Sequence, residues 1–214
     1  MRDCSEGYEN GHQDGHKDVY LIQPMTSPAP FLVQCHFGWG GIIYPLWRVV
    51  SETPWSNVTW EQAKEGFGDD LSLRPGSTNF FIGLEKLHQI LAQSVYNCQV
   101  LSKYGASWTT STAFYDNFTV GHELSSYALS YGAFYDRLNT PSSNGLNGSS
   151  PVVFATVGKD PHGCVGSRGA AGWYGSDCGG HSMFADPPTW PVPGQGSLQL
   201  SEVLVVLVRK GPFF

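Results

Sequence analysis

Residues 59–69 read TWEQAKEGFGD, and residues 80–90 read FFIGLEKLHQI. Thr59 stands where an N-cap belongs and Gln62 follows at the offset of a capping box. Residues 60–67 therefore read as a short helix with Gly66 close to its end. In the second stretch, residues 79–82 read as a strand. Leu84, Leu87, His88 and Leu91 then recur at helical spacing, which predicts a helix over residues 83–93. Short helices set among strand-like runs indicate a mixed α and β domain.

Upstream, residues 1–17 are polar, Gly-rich and turn-like. Residues 19–23 and 30–37 read as two strands joined by a turn-rich link. Residues 42–50 are a further β-prone run, in which Pro45 argues for an edge position or a bulge. Downstream, residues 94–102 return to strand, and residues 113–120 and 124–131 read as two more strands joined through Gly121. Residues 139–196 carry almost no periodicity. A loop region of that length inside an ordered domain tends to be functional or cross-linked. The apolar run at residues 203–208 implies a buried central strand at 202–209.

The 214 residues fit one domain. Apolar residues make up 41% and aromatics 14%, which argues against disorder, while 26 Gly and 14 Pro favour a loop-rich, β-leaning globule. A net charge of −6 provides no basic patch for nucleic acid. The longest apolar run falls far short of the ~20 residues that a helix needs to cross a bilayer. The first residues carry no apolar signal-peptide core, so secretion would make this chain a piece of a longer one. Three N-x-S/T sequons, at Asn57, Asn117 and Asn147, tilt towards the secretory route and a secreted, extracellular setting.

Catalytic chemistry has one candidate. Residues 175–180, GSDCGG, resemble a nucleophile turn around Cys178. Such a site needs a His and an acid on a double barrel. His36, His88 and His122 lie upstream, but no barrel pattern accompanies them. The HELSS stretch beginning at His122 lacks the second His of a zinc helix. The five cysteines are Cys4, Cys35, Cys98, Cys164 and Cys178. Nearest pairing joins Cys4 to Cys35 and Cys164 to Cys178, yet four cysteines allow three connectivities and spacing alone selects none. Cys98, within the strand-like VYNCQVL, reads as a small buried thiol.

The order of segments is itself informative. RDCSEG, VYLIQP, PFLVQC, TWEQAKEGFGD, FFIGLEKLHQI, YDNFTVG, SYALSYGAF and FATVGKD follow one another, with GWYGSDCGG and a terminal strand closing the series. From Arg2 to about Lys210 this series resembles the fibrinogen-related domain, the C-terminal globule of the fibrinogen β and γ chains, ficolins, angiopoietins and tenascins. KEGFG followed by GLEKLHQ is its most specific piece.

The resemblance implies an α+β fold with a central, mainly antiparallel sheet, few short helices and a loop-rich C-terminal subdomain. Its three subdomains would lie at about 2–45, 46–138 plus 202–209, and 139–200. It implies the bridges Cys4–Cys35 and Cys164–Cys178 and an extracellular role without catalysis. It also implies a pocket beside Cys178, with a cis peptide bond at Asp177-Cys178. Family pockets of this kind take peptide knobs or acetylated sugars. Candidate pocket residues are Trp173, Tyr174, Asp177, Cys178, Gly179 and His181, with Phe184 and Trp190 as further aromatic anchors; core packing of the loop-rich subdomain is the alternative for these aromatics.

Two departures refine these expectations. In FATVGKDPHGC the first Asp of the family's calcium pair falls on Gly158, leaving Asp160 alone in a short loop. Calcium takes 6–8 oxygen ligands, so no cofactor is expected, and Asp160 reads as a turn residue. After Cys178 stand Gly179-Gly180, where the lectin members carry a His. The expected partner is therefore a protein receptor or matrix component, with acetylated glycans or no ligand as alternatives. No heptad segment is present, so any oligomerisation is expected through regions outside this chain.

Overall fold

The computed structural model describes residues 1–12, 15–50, 54–136, 140–148 and 150–211. The strands are β1 (Lys17–Ile22), β2 (Phe31–His36), β3 (Ile42–Val49), β4 (Phe67–Gly68), β5 (Asn79–Phe81), β6 (Tyr96–Tyr104), β7 (Thr109–Tyr115), β8 (Thr119–Val120) and β9 (Leu129–Ser130). They continue with β10 (Phe134–Asp136), β11 (Val153–Ala155), β12 (Gly172–Tyr174), β13 (Thr189–Val192), β14 (Gly196–Gln199) and β15 (Glu202–Arg209). Among the described residues, four short α-helices accompany them: α1 (Cys4–Glu9), α2 (Trp60–Glu65), α3 (Leu84–Ala92) and α4 (Cys164–Arg168).

Nine strands form one antiparallel sheet in the order β1-β2-β3-β15-β6-β7-β10, with β4 and β5 attached beside β3. The apolar run at the end of the sequence now has its reason. β15 pairs with β3 on one side and β6 on the other, and Val203 and Leu207 are fully buried. The architecture is the α+β class expected from the sequence.

The stretch 59–90 owes its geometry to two contacts. Thr59 accepts from the Gln62 amide while the Gln62 side chain accepts from the Thr59 amide, closing the capping box of α2. Gly66 and Gly83 have φ of +101° and +105° and face one another's backbones. A Cβ on Gly66 would lie 2.5 Å from the Ile82 carbonyl oxygen, and one on Gly83 would lie 2.5 Å from that of Lys64. Only glycines let the end of α2 lie this close to the β5–α3 junction.

One sequence expectation is narrowed to one of its alternatives and another is corrected. Pro45 is not on an edge strand, because β3 has neighbours on both sides. It occupies a bulge, where Tyr44 and Pro45 together oppose Val206, and the pairing partner on its other side changes from β2 to β5. The missing N–H of proline falls where no ladder bond is needed. Residues 124–131 do not form a continuous strand either. Ser125 Oγ bonds back to the His122 carbonyl, and Ser126 and Tyr127 adopt left-handed φ, so only Leu129–Ser130 pairs, with β8. Local serine bonds compete with a ladder in this way.

The loop-rich residues are tied to the sheet by a clamp whose sheet-side member is buried. Arg48 of β3 is 2% exposed and donates to the Met183 carbonyl (2.9 Å), the Ala185 carbonyl (2.7 Å) and the Asp186 carboxylate. Asp186 in turn accepts from the backbone amides of Trp55 and Ser56, both at 2.7 Å. The clamped residues 183–186 follow closely on His181, which lines the site described next.

Candidate ligand-binding site

The site is assembled around α4 and the bridge that leaves it. Asp160 accepts from the Cys164 amide with one carboxylate oxygen (3.0 Å) and from the Val165 amide with the other (2.7 Å). Both oxygens thus serve the unpaired donors at the start of α4. Gly158 sits in the tight turn in which Thr156 and Lys159 exchange backbone bonds, and the Lys159 ammonium lies 3.6 Å from the centroid of the Trp60 ring. The residues at the calcium-loop positions are therefore a cap, a bare turn and a cation engaged elsewhere.

Cys164, at the first position of α4, is bonded to Cys178, and Cys4 to Cys35. With its sulfur in a disulfide, Cys178 has no thiolate to act as a nucleophile. Cys98 is the free cysteine; it is buried in β6, and burial pushes its thiol pKa well up.

The Asp177-Cys178 peptide bond is not cis, contrary to expectation; the cis bonds among the described residues are Ser150-Pro151 and Asp186-Pro187. The chain reverses instead through Cys178 itself, at φ +54°. The Cys178 amide donates to the Gly175 carbonyl at 2.9 Å, and the Gly179 amide donates to Asp177 Oδ1 at 3.0 Å. These bonds hold the turn without an isomerised peptide.

Beside this turn lies an open polar cradle of about 470 Å³, lined by Asn144, Asn147, Gly148, Arg168, Asp177, Gly179, Gly180 and His181. That volume falls within the usual range of small-ligand sites, ~300–1,000 Å³. Arg168, the last residue of α4, donates from Nε to the Cys178 carbonyl at 2.8 Å, which fixes the guanidinium at one wall. His181 is held by its amide, which donates to the Gly145 carbonyl at 2.8 Å, and its Nδ1 lies 3.3 Å from Ser197 Oγ. Burial and the neighbouring Arg168 charge lower the His181 pKa below its ordinary value, so the ring is neutral near pH 7.

The aromatic residues expected at this site lie elsewhere. Trp173 is 4% exposed; its indole N–H donates to the Tyr127 carbonyl and its ring meets Phe154 edge-on. Phe184 and Trp190 are fully buried, and Trp190 donates to Ser142 Oγ. Tyr174 is also buried, with its hydroxyl on the Ala170 carbonyl. Its ring borders a second, smaller hollow that His181 and Arg168 share with the cradle. A region with little periodicity needs large side chains to fill its interior, and these are the ones it uses.

The family model for the fibrinogen beta and gamma chains, C-terminal globular domain, matches residues 1–183. This chain belongs to that family. Among curated relatives, the mouse fibrinogen gamma chain is 30% identical over 200 residues, covering 83% of this chain and 43% of its own length. Human fibrinogen-like protein 1 is 29% identical over 133 residues, covering 62% of this chain and 40% of its own. The chain thus spans less than half the length of these curated relatives. Among solved structures, a lamprey fibrin D-dimer complexed with the peptide Gly-His-Arg-Pro-amide superposes with a TM-score of 0.80 at 22% identity, covering 97% of this chain and 73% of that one. The fibrinogen-like globe domain of human ANGPTL2 gives a TM-score of 0.79 at 22% identity, covering 99% of this chain and all of that domain.

Within this fibrinogen-type globe, Asp177, Gly179 and His181 of the expected pocket do line one cradle, beside the Cys178 carbonyl. Arg168, Asn144, Gly148 and Gly180 were not singled out from the sequence, and Asn147 was noted only as a sequon. Arg168 was the readable one: a basic residue at the end of the segment that follows Cys164, where a helix terminus favours a cation.

Proposed function

We propose that this domain is a secreted, non-catalytic recognition module that binds a protein receptor or matrix partner through its C-terminal loops. The observation that carries this reading is the cradle beside Cys178. It presents a carboxylate, a guanidinium, two carboxamides and a neutral imidazole on a wall braced by a disulfide. Its large aromatics point inward, so recognition there is by hydrogen bonds and charge. Asp177, exposed at the rim, is the group suited to an amine or guanidinium of a partner peptide. Gly-His-Arg-Pro-amide, the peptide in the lamprey complex, supplies both cations and serves as the probe.

Calorimetric titration of the domain with this peptide is expected to show saturable binding, weakened at least about tenfold, or ~1.4 kcal/mol, by Asp177→Ala. Absence of binding, or binding indifferent to Asp177→Ala, would overturn the reading. The neutral His181 and the two carboxamides favour a second reading, a lectin-like site for acetylated glycans. Binding of N-acetylglucosamine but not the peptide would select it.

A further inference from the structure

Asn147 belongs to both the sequon Asn147-Gly148-Ser149 and the wall of the cradle. Ser149 lies outside the described residues, but Asn147 is placed and exposed. Its backbone is held against the Cys178 turn. The Asn147 carbonyl oxygen lies 3.2 Å from where a Cβ on Gly179 would be, and the Gly148 Cα 3.1 Å. The His181 amide closes the same contact from the other side by donating to the Gly145 carbonyl. A substituent on the Asn147 side chain is thus rooted at the cradle wall, and the packed backbone cannot carry it away. Asn57 and Asn117 are also exposed but do not line the cradle.

From this placement we infer that an N-linked glycan on Asn147 shields the cradle, so that occupancy of this one sequon sets whether the site is open. An asparagine-linked sugar is bulky and strongly hydrated. Tethered beside the site, its first N-acetylglucosamine is present at an effective concentration in the millimolar range, as for a short flexible linker. Arg168, Asp177 and His181 are the hydrogen-bonding groups it would cover. The effect on binding rests on the proposed function above; the shielding itself does not.

The test uses the chain secreted from a glycosylating eukaryotic host. Peptide mass mapping before and after enzymatic glycan removal reads the occupancy of Asn147. Diethyl pyrocarbonate then reads the openness of the cradle through the rate at which His181 is carbethoxylated, with the exposed His122 as internal standard. The expected result is a glycan on Asn147 and a His181 that reacts several-fold faster in the deglycosylated protein and in Asn147→Gln, with His122 unchanged. A secreted protein bare at Asn147, or a His181 rate indifferent to the glycan, would overturn the inference.

Binding of Gly-His-Arg-Pro-amide gives the second readout. Asn147→Gln is expected to bind at least about tenfold more tightly than the glycosylated protein, a gain of ~1.4 kcal/mol, whereas Asn57→Gln and Asn117→Gln leave affinity unchanged. If Asn147→Gln frees His181 but binds neither this peptide nor N-acetylglucosamine, the shielding stands and the proposed function fails.

Discussion

Residues 96–115 and residues 160–181 are about equally long and are held in place by opposite means. In the first, β6 alternates strictly between buried and half-buried positions and pairs with β15 from Tyr96 to Lys103 and with β7 from Cys98 to Tyr104. Each residue there is restrained by several neighbours doing the same thing. In the second, individual bonds each do one task. Asp160 caps α4, a disulfide joins its first residue to Cys178, Arg168 grips the Cys178 carbonyl, and the His181 amide reaches Gly145. Redundant restraint makes the sheet tolerant, whereas single-point restraint makes the loops vulnerable and gives them a defined, concave surface.

The sharpest way to break the contrast is the clamp that spans both regions. Arg48→Ala leaves Asp186 and two carbonyls without their buried donor. Urea denaturation is expected to show a loss of about 2–5 kcal/mol, from the cavity a fully buried side chain leaves and the two carbonyls stripped of their donor. A loss under ~1 kcal/mol would mean the loops dock without Arg48. Next in size is the Cys164→Ser, Cys178→Ser pair, which reopens a loop of sequence separation 14. The chain-entropy model puts this at about 3 kcal/mol. Hydrogen exchange should accelerate across residues 160–181 while the amides of β6 and β15 keep their protection. Equal loss in both regions would show that they unfold as one unit.

Asp160→Ala removes two bonds at the start of a five-residue helix, and about 0.5–2 kcal/mol is expected, read as a lowered melting temperature. Since the same change deletes the remaining carboxylate of the calcium-loop positions, melting with and without added calcium separates a cap from a ligand. A calcium-dependent shift in the parent that Asp160→Ala abolishes would make Asp160 a ligand after all.

The smallest effect is that of acid on the clamp. Burial pushes the Asp186 pKa up, but the bonds from Ser56 and the Arg48 charge outweigh it and hold it below the ordinary carboxylate value. The folded carboxyl therefore binds its proton less readily than the unfolded one. Its contribution is complete above the ordinary carboxylate value of about 3.9 and is lost as pH falls through the lower folded value. Asp186→Asn should accordingly flatten the pH dependence of stability below about pH 4, and an unchanged slope would remove Asp186 from the account.

What could be read in advance follows the same division. The capping box at Thr59 and Gln62, the helical spacing of Leu84, Leu87 and Leu91, and the apolar run of β15 are local or periodic signals, and each element lies within a few residues of its expected place. For Pro45 an edge and a bulge both stood open and the bulge holds, because a missing N–H marks a gap in pairing without saying which neighbour is lost. In residues 124–131 an alternating pattern concealed serine-to-backbone bonds that turn the chain. At the site, Asp177, Gly179 and His181 were legible through the resemblance, which places a pocket beside Cys178. Trp173 stood open between pocket and core because a tryptophan beside a cysteine carries no mark of facing in or out, and that depends on Tyr127 and Phe154, remote in sequence. The cis bond expected at Asp177-Cys178 failed similarly, since a left-handed Cys178 completes the same reversal.

The strand at the middle of the sheet, β15, is also the last in sequence order among the described residues. During synthesis β3 and β6 emerge long before the strand that joins them, and each waits with an unpaired edge. The sheet can close only after residues 202–209 have left the ribosome. Until then the half-built protein offers two sticky flanks to its neighbours, a window in which chaperone contact matters more than anything the finished fold would indicate.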